Sequence, residues 1–220
     1  MTRLQYFFQI IFVLFFCING YAQDNIKCYI STGDFIQNKI YDAHLEPKIK
    51  AKNDQFFKIS KFINIEDDEK DDLASMSWAI LADGELYINL RYSYDYQNAE
   101  LYVKPFITGK ICTIIIDENT DQKILTGGTH YGAGLQGVLM KESQKWGKNW
   151  IDKLGNKHKL LIFNTTLIKS NHLNRNVNVI GELLTRKNFN VLLGLNLAED
   201  DIEKLNFDDI LNLIRNKNLN

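Results

Sequence analysis

Apolar residues are spaced differently in the two halves of the chain, and that difference predicts most of its elements. Early segments carry short apolar runs of strand length: Ile26 to Ile30, Phe56 to Ile65, Trp78 to Ala82, Glu85 to Leu90, Leu101 to Ile107 and Lys110 to Ile116. The first two of the last four are separated by Asp83-Gly84 alone. A two-residue Asp-Gly loop favours a type I′ turn, so it predicts a hairpin with Leu81 opposite Leu86, Ile80 opposite Tyr87 and Ala79 opposite Ile88. Thr108-Gly109 predicts a second hairpin, and the unbroken Ile114-Ile115-Ile116 predicts a strand covered on both faces. Ser31-Thr32-Gly33-Asp34 reads as a turn and the acidic stretch Glu66 to Asp72 as a loop.

The later pattern is closer to helical. Val138, Leu139, Trp146, Trp150 and Leu154 fit a helix over 135–154, and Val177, Ile180, Leu183 and Leu184 fit another. Phe189 to Leu193 adds a short helical turn, with a strand expected at Leu160 to Phe163 before it. The stretch from Ala198 to Asn218 predicts a helix with Ile202, Leu205, Ile210, Leu211 and Ile214 inward. Its acids come early and Arg215 and Lys217 late, as the helix dipole favours. The fold class expected is α+β: an antiparallel β-rich part over 26–125 and a mostly helical part over 135–218, forming one domain.

The first 22 residues follow neither pattern. Arg3 precedes an apolar stretch from Tyr6 to Ile18, and Asn19-Gly20-Tyr21-Ala22 ends it with small residues at the third-last and last places. That order is a signal peptide cleaved before Gln23. The stretch is too short for a transmembrane span of about 20 residues. Export to the periplasm, cell surface or extracellular space is therefore expected, with no transmembrane segment in the mature chain. Cleavage would take the 220 residues to 198 and, with Arg3 lost, leave 25 basic against 27 acidic residues. A charge so near balance excludes a strongly basic nucleic-acid binder, and no nucleic-acid partner is expected. Cys28 and Cys112 would be the two cysteines left. In an oxidising compartment they form either a disulfide or two separate buried thiols.

Several motifs carry the letters of a site without its context. Gly132-Ala133-Gly134-Leu135-Gln136-Gly137, with Asp152 twenty residues on, spells a dinucleotide fingerprint. No apolar strand runs into its first glycine, so the motif reads as a glycine-rich turn. Asp117-Glu118-Asn119-Thr120-Asp121 opens like a calcium loop, yet Gln122 stands where the turn needs Gly and Gly128 where it needs a bidentate Glu. His44, His130, His158 and His172 show no metal-ligand spacing. No catalytic, cofactor-binding or metal-ligating set is expected, and no cofactor. Tyr92-Ser93-Tyr94-Asp95-Tyr96 is the candidate binding surface: on a strand, period two would put Tyr92, Tyr94 and Tyr96 on one face. Tyrosine suits such a face because it pairs a large apolar body with a polar tip.

Tyr29-Ile30-Ser31-Thr32-Gly33-Asp34-Phe35-Ile36-Gln37-Asn38-Lys39, then Trp78 before Asp83-Gly84-Glu85-Leu86-Tyr87-Ile88, then Phe106-Ile107-Thr108-Gly109-Lys110, the glycine-rich stretch and a terminal helix follow in order. This order resembles a group of uncharacterised secreted proteins from Bacteroidota, a domain of unknown function. The resemblance implies export and a single domain, and it implies no catalytic residues. Two functions follow as expectations. One is a non-enzymatic binding or envelope-associated module with a protein or glycan partner. The other is a secreted hydrolase whose site assembles only in three dimensions.

Mass spectrometry of protein recovered from outside the cytoplasm is expected to find Gln23 at the amino terminus. Peptides from residues before Gln23 in that material would overturn the cleavage site.

Overall fold

A computed structural model describes residues 26–41, 43–52, 54–96, 101–117, 149–167 and 179–219. Seven strands build a first sheet: β1 (Lys27–Tyr29), β2 (Leu45–Lys52), β3 (Phe56–Asn64), β4 (Lys70–Asp71), β5 (Ala79–Ala82), β6 (Glu85–Asn89) and β7 (Tyr102–Val103). Their order is β1-β5-β6-β7-β3-β2, with β4 beside β3. A second sheet of β8 (Ile111–Asp117), β9 (Trp150–Ile151), β10 (Lys157–Asn164) and β11 (Glu182–Leu183) runs β11-β10-β8, with β9 beside β10. All pairings between these strands are antiparallel. Two short helices, α1 (Thr32–Ile36) and α2 (Asp72–Ser75), interrupt the first sheet, and α3 (Phe189–Leu193), α4 (Glu199–Lys204) and α5 (Phe207–Leu219) follow the second. The class is α+β, mostly antiparallel sheet, with its longest helix and most helical residues in the C-terminal part.

The Asp83-Gly84 hairpin has the expected register, Ala79↔Ile88, Ile80↔Tyr87 and Leu81↔Leu86. Both turn residues lie at positive φ, 52° and 81°, as the type I′ turn requires. Strand alternation then divides the buried side chains among three cores. On the first sheet, Tyr29, Ala79, Ile88 and Val103 face the second sheet, while Cys28, Ile80, Tyr87 and Tyr102 join Phe57, Ile59, Phe62 and Ala74 on the other side. On the second sheet, Cys112, Ile114, Ile116, Leu161 and Phe163 face the first. Ile111, Trp150, Leu160 and Ile162 meet Phe189, Leu192, Ile202, Ile210 and Ile214 from the helices. Ile115 packs against this last core from the face opposite Ile114 and Ile116, so β8 is covered on both sides as its isoleucine run predicts.

Four local expectations give way to longer-range pairing. No hairpin forms around Thr108-Gly109: β7 pairs with β3 and β6, β8 pairs with β10, and only an Ile107↔Thr113 bridge joins the two segments. Within the predicted 135–154 helix, Trp150 and Ile151 form β9 against Lys157 and His158, and Gly155 turns back at φ 87°. The remainder of that segment lies outside the described residues. Between Val179 and Leu184 the short strand β11 and a bridge at Gly181 stand in place of a helix, because the backbone donors go elsewhere: Gly181 N to Tyr92 O, and Leu184 N to Leu160 O. The last predicted helix is two. Leu205 is extended, and Asn206 and Asp209 cap α5 reciprocally, Asn206 Oδ1 accepting from Asp209 N at 3.0 Å and Asp209 Oδ2 from Asn206 N at 3.1 Å. Two further segments gain structure. Ser31 and Asp34 form a capping box that turns the expected Ser31–Asp34 turn into α1. Lys70 and Asp71 of the acidic stretch pair with β3.

Gly181 admits β11 to this arrangement by its lack of a side chain. A Cβ there would lie 2.5 Å from the Phe163 ring. Gly181→Ala is expected to destabilise the protein by about 1–3 kcal/mol through overpacking, read as a lower urea midpoint. An unchanged midpoint would show that Phe163 moves aside freely.

Candidate functional site

The tyrosine segment is not a strand. Leu90–Tyr92 forms a 3-10 turn, with the Asn89 side chain accepting from Arg91 N, and period two therefore does not apply. Tyr96 is 4% exposed and belongs to the core between the sheets. Tyr92 is half-buried, its hydroxyl donating to Met76 O at 2.5 Å, and burial pushes its phenol up. Tyr94 alone of the three stands in solvent, at 55% exposure. Between Tyr92 and Tyr94, Ser93 is buried and bridges to Gly181, while its hydroxyl donates to Leu90 O and accepts from Tyr96 N. The three rings thus share no face. The pairing that reorients them comes from β11's neighbour Gly181, a residue with no local trace in the tyrosine sequence. Met76, whose carbonyl holds Tyr92, and Ile180, next to Gly181, are also exposed, at 49% and 41%.

Cys28 and Cys112 are free and buried in different cores, Cys28 inside the first sheet and Cys112 between the sheets. Burial pushes the Cys28 thiol up to about 12, against an opposing hydrogen bond from Ser77. It pushes Cys112 up to about 11, although that thiol donates to Gly109 O at 3.3 Å. Thiols held protonated in this way are poor nucleophiles at neutral pH.

Around Cys28 lies a polar cluster that the sequence reading missed. Ser77 and Tyr102 share a hydroxyl–hydroxyl bond of 3.0 Å, and Asn89 Nδ2 donates to Ser77 O at 3.0 Å. Burial raises the Tyr102 phenol well above its usual range. The one available signal was a polar residue inside each apolar run, Ser77 before Trp78 and Asn89 between Ile88 and Leu90. Buried polar groups are satisfied within the fold, and these bonds tie the segment entering β5 to β6 and β7.

His158 and Asp152 meet at 3.0 Å between Nε2 and Oδ2, and the imidazole stacks on Phe207 with 4.3 Å between ring centroids. Asp152 also accepts from Leu154 N, Asn156 N and Asn156 Nδ2. The His158 bond, then those from Asn156, hold its carboxyl well below the usual carboxylate range. This carboxylate therefore closes the β9–β10 turn rather than binding a ribose. The glycine motif that would have paired with it lies outside the described residues, as do His130, His172 and residues 118–128 of the calcium-like loop. His44 is exposed and sits 3.5 Å from Glu66. Among the described residues no group of three His, Cys, Asp or Glu could hold a metal ion, and no helix is long and apolar enough to cross a membrane.

Protein-family models, curated proteins and solved structures offer no parallel to this geometry: none matches the chain.

Both thiols of the described chain are expected to resist alkylation in the folded protein at pH 8 and to react without reductant once it is unfolded. Rapid labelling of folded protein would contradict their burial. Failure to label after unfolding would show a disulfide.

Proposed function

We propose that the protein is an exported, non-catalytic binding module whose contact surface is centred on Tyr94. The observation that carries this reading is the way Tyr94 is held. Its backbone N–H donates to Gly181 O at 3.0 Å, so an exposed aromatic side chain is carried on a segment whose main chain is paired to the one entering β11. An exposed aromatic on a paired backbone segment is the kind of residue that anchors contacts.

Export is supported by the leader pattern of residues 1–22, and the resemblance to secreted Bacteroidota proteins agrees with it. The non-catalytic reading is supported by where the chemically capable groups are committed. Asp152 closes a turn, Ser77 and Tyr102 tie strands together, and both thiols are kept protonated by burial.

A photo-crosslinking phenylalanine analogue in place of Tyr94 is expected to give discrete adducts in envelope fractions, while the same analogue in place of Val191, exposed on α3, gives none. Equal adducts at both positions, or none at Tyr94, would overturn the assignment.

A further inference from the structure

Phe106 is 56% exposed, between the buried residues Pro105 and Ile107. Its main chain is fixed to the edge of the second sheet: Phe106 N donates to Thr113 O, and Thr113 N donates to Ile107 O, both at 2.8 Å. The Arg215 guanidinium of α5 lies over the ring, 5.6 Å from its centre. The same end of α5 is locked to this edge. Asn218 Oδ1 accepts from Ile111 N at 2.8 Å and its Nδ2 donates to Ile111 O at 3.0 Å, so a side-chain carboxamide stands where a paired strand would. Gly109 leaves the room for it, since a Cβ there would lie 2.7 Å from Asn218 Cγ. The loop that carries Phe106 and the helix end that carries Arg215 are thus one braced surface.

Two structural roles account for such cations elsewhere in the protein. Basic residues near a helix C-terminus complement its dipole, and Lys217 does so in the last turn of α5, donating to Gly194 O at 2.8 Å. Lys217 is two residues from Arg215, about 200° around the helix. Gly194 and the chain leading from it into acidic α4 therefore lie on a different flank of α5 from Phe106. Cations also close over buried rings. Among the described residues, Lys52 does this for Phe57 and Arg186 for Trp150, each ring only 1% exposed. Under Arg215, by contrast, more than half of Phe106 stays in water.

Arg215 also has no acid beside it among the described residues; its one hydrogen bond goes to Asn212 Oδ1 at 3.1 Å. Residues 105–116 and 210–220 contain no Asp or Glu. The acids of α5 sit at its other end, Asp208 on Lys153 at 3.7 Å and Asp209 in the cap. Lys104, just before Pro105, is paired with Glu85 at 3.2 Å.

We infer that Phe106 and Arg215 form a docking surface for an acidic segment of a protein partner, the guanidinium taking a carboxylate and the ring an aliphatic side chain beside it. A guanidinium has five N–H donors in a planar fork that matches a carboxylate, and Asn212 uses one of them. Aromatic residues and arginine are the types that anchor protein contacts. A single-stranded nucleic acid would instead call for a cationic groove and successive rings, and this surface has one ring. It uses different residues from Tyr94 and does not depend on the function proposed for that residue.

The test is fluorescence anisotropy of the purified protein with a short labelled peptide alternating Glu and Leu, beside its Gln–Leu counterpart. Only the Glu–Leu peptide is expected to bind, and to release as ionic strength rises. Arg215→Gln should weaken binding about tenfold and Phe106→Ala about fivefold. Arg215→Lys, which keeps the charge and loses the fork, should fall between the unmodified protein and Arg215→Gln. Arg186→Gln, which removes the arginine stacked on the buried Trp150, should bind as the unmodified protein does. Should Phe106→Ala melt early, the two Arg215 variants decide. No binding of the Glu–Leu peptide, equal binding of the Gln–Leu peptide, no loss in Arg215→Gln, or equal loss in Arg186→Gln would overturn the inference. Binding of polyphosphate that Arg215→Gln abolishes, without binding of the peptide, would overturn it in favour of a phosphate polyanion.

Discussion

Trp78 is the side chain on which the meeting of the two sheets depends. It is fully buried just before β5, and its indole N–H donates to Val179 O at 3.3 Å. Its ring meets Phe163 of the second sheet edge-on at 6.1 Å and Phe35 of α1 at 5.3 Å. Its backbone belongs equally to the first sheet, donating to Tyr29 O and accepting from Asn89 N. One residue therefore fixes the position of the first sheet, the approach of the segment after residue 178 and the face that β10 presents. The fit is close enough that Gly181 must be bare of a side chain beside Phe163. Thr32 adds a second tie, its hydroxyl accepting from Val179 N at 2.8 Å.

How much of this was legible in the sequence follows from how far apart the partners lie. The Asp83-Gly84 hairpin was readable to the residue because a two-residue turn sets the register by itself. Phe189–Leu193 and the isoleucine strand were readable because their periodicity reports burial directly. β8 was correctly a doubly covered strand, yet its neighbour was assigned wrongly. The turn beside it suggested β7, whereas β10, more than 40 residues on, supplies the complementary run Leu160-Leu161-Ile162-Phe163. The helix expected at 177–184 failed for the same reason. Its apolar spacing fitted a helix, but its N–H groups found acceptors in Tyr92 and Leu160.

The candidate site was less legible than the fold. Three tyrosines at alternate positions make one face only if the backbone is extended, and Asn89 winds that backbone into a 3-10 turn. Of the three rings one is core, one is half-covered and one is displayed, a distribution that no local pattern encodes. The dinucleotide letters show the opposite error of appearance: Asp152 has the spacing of a ribose ligand and the bonds of a turn residue. In both cases the role of a polar or aromatic side chain was decided by backbone groups near it. Ser77 and Asn89 make the same point from inside the core, where their partners lie on separate strands.

The bond from Trp78 to Val179 spans 101 residues and that from Thr32 to Val179 spans 147. The two sheets therefore cannot lock together while the chain is still emerging, since the segment that holds their seam is made long after Trp78. Until then the apolar inner face of the first sheet has nothing to close against. Such topology makes folding slow and late, because loop closure must precede the reward of contact.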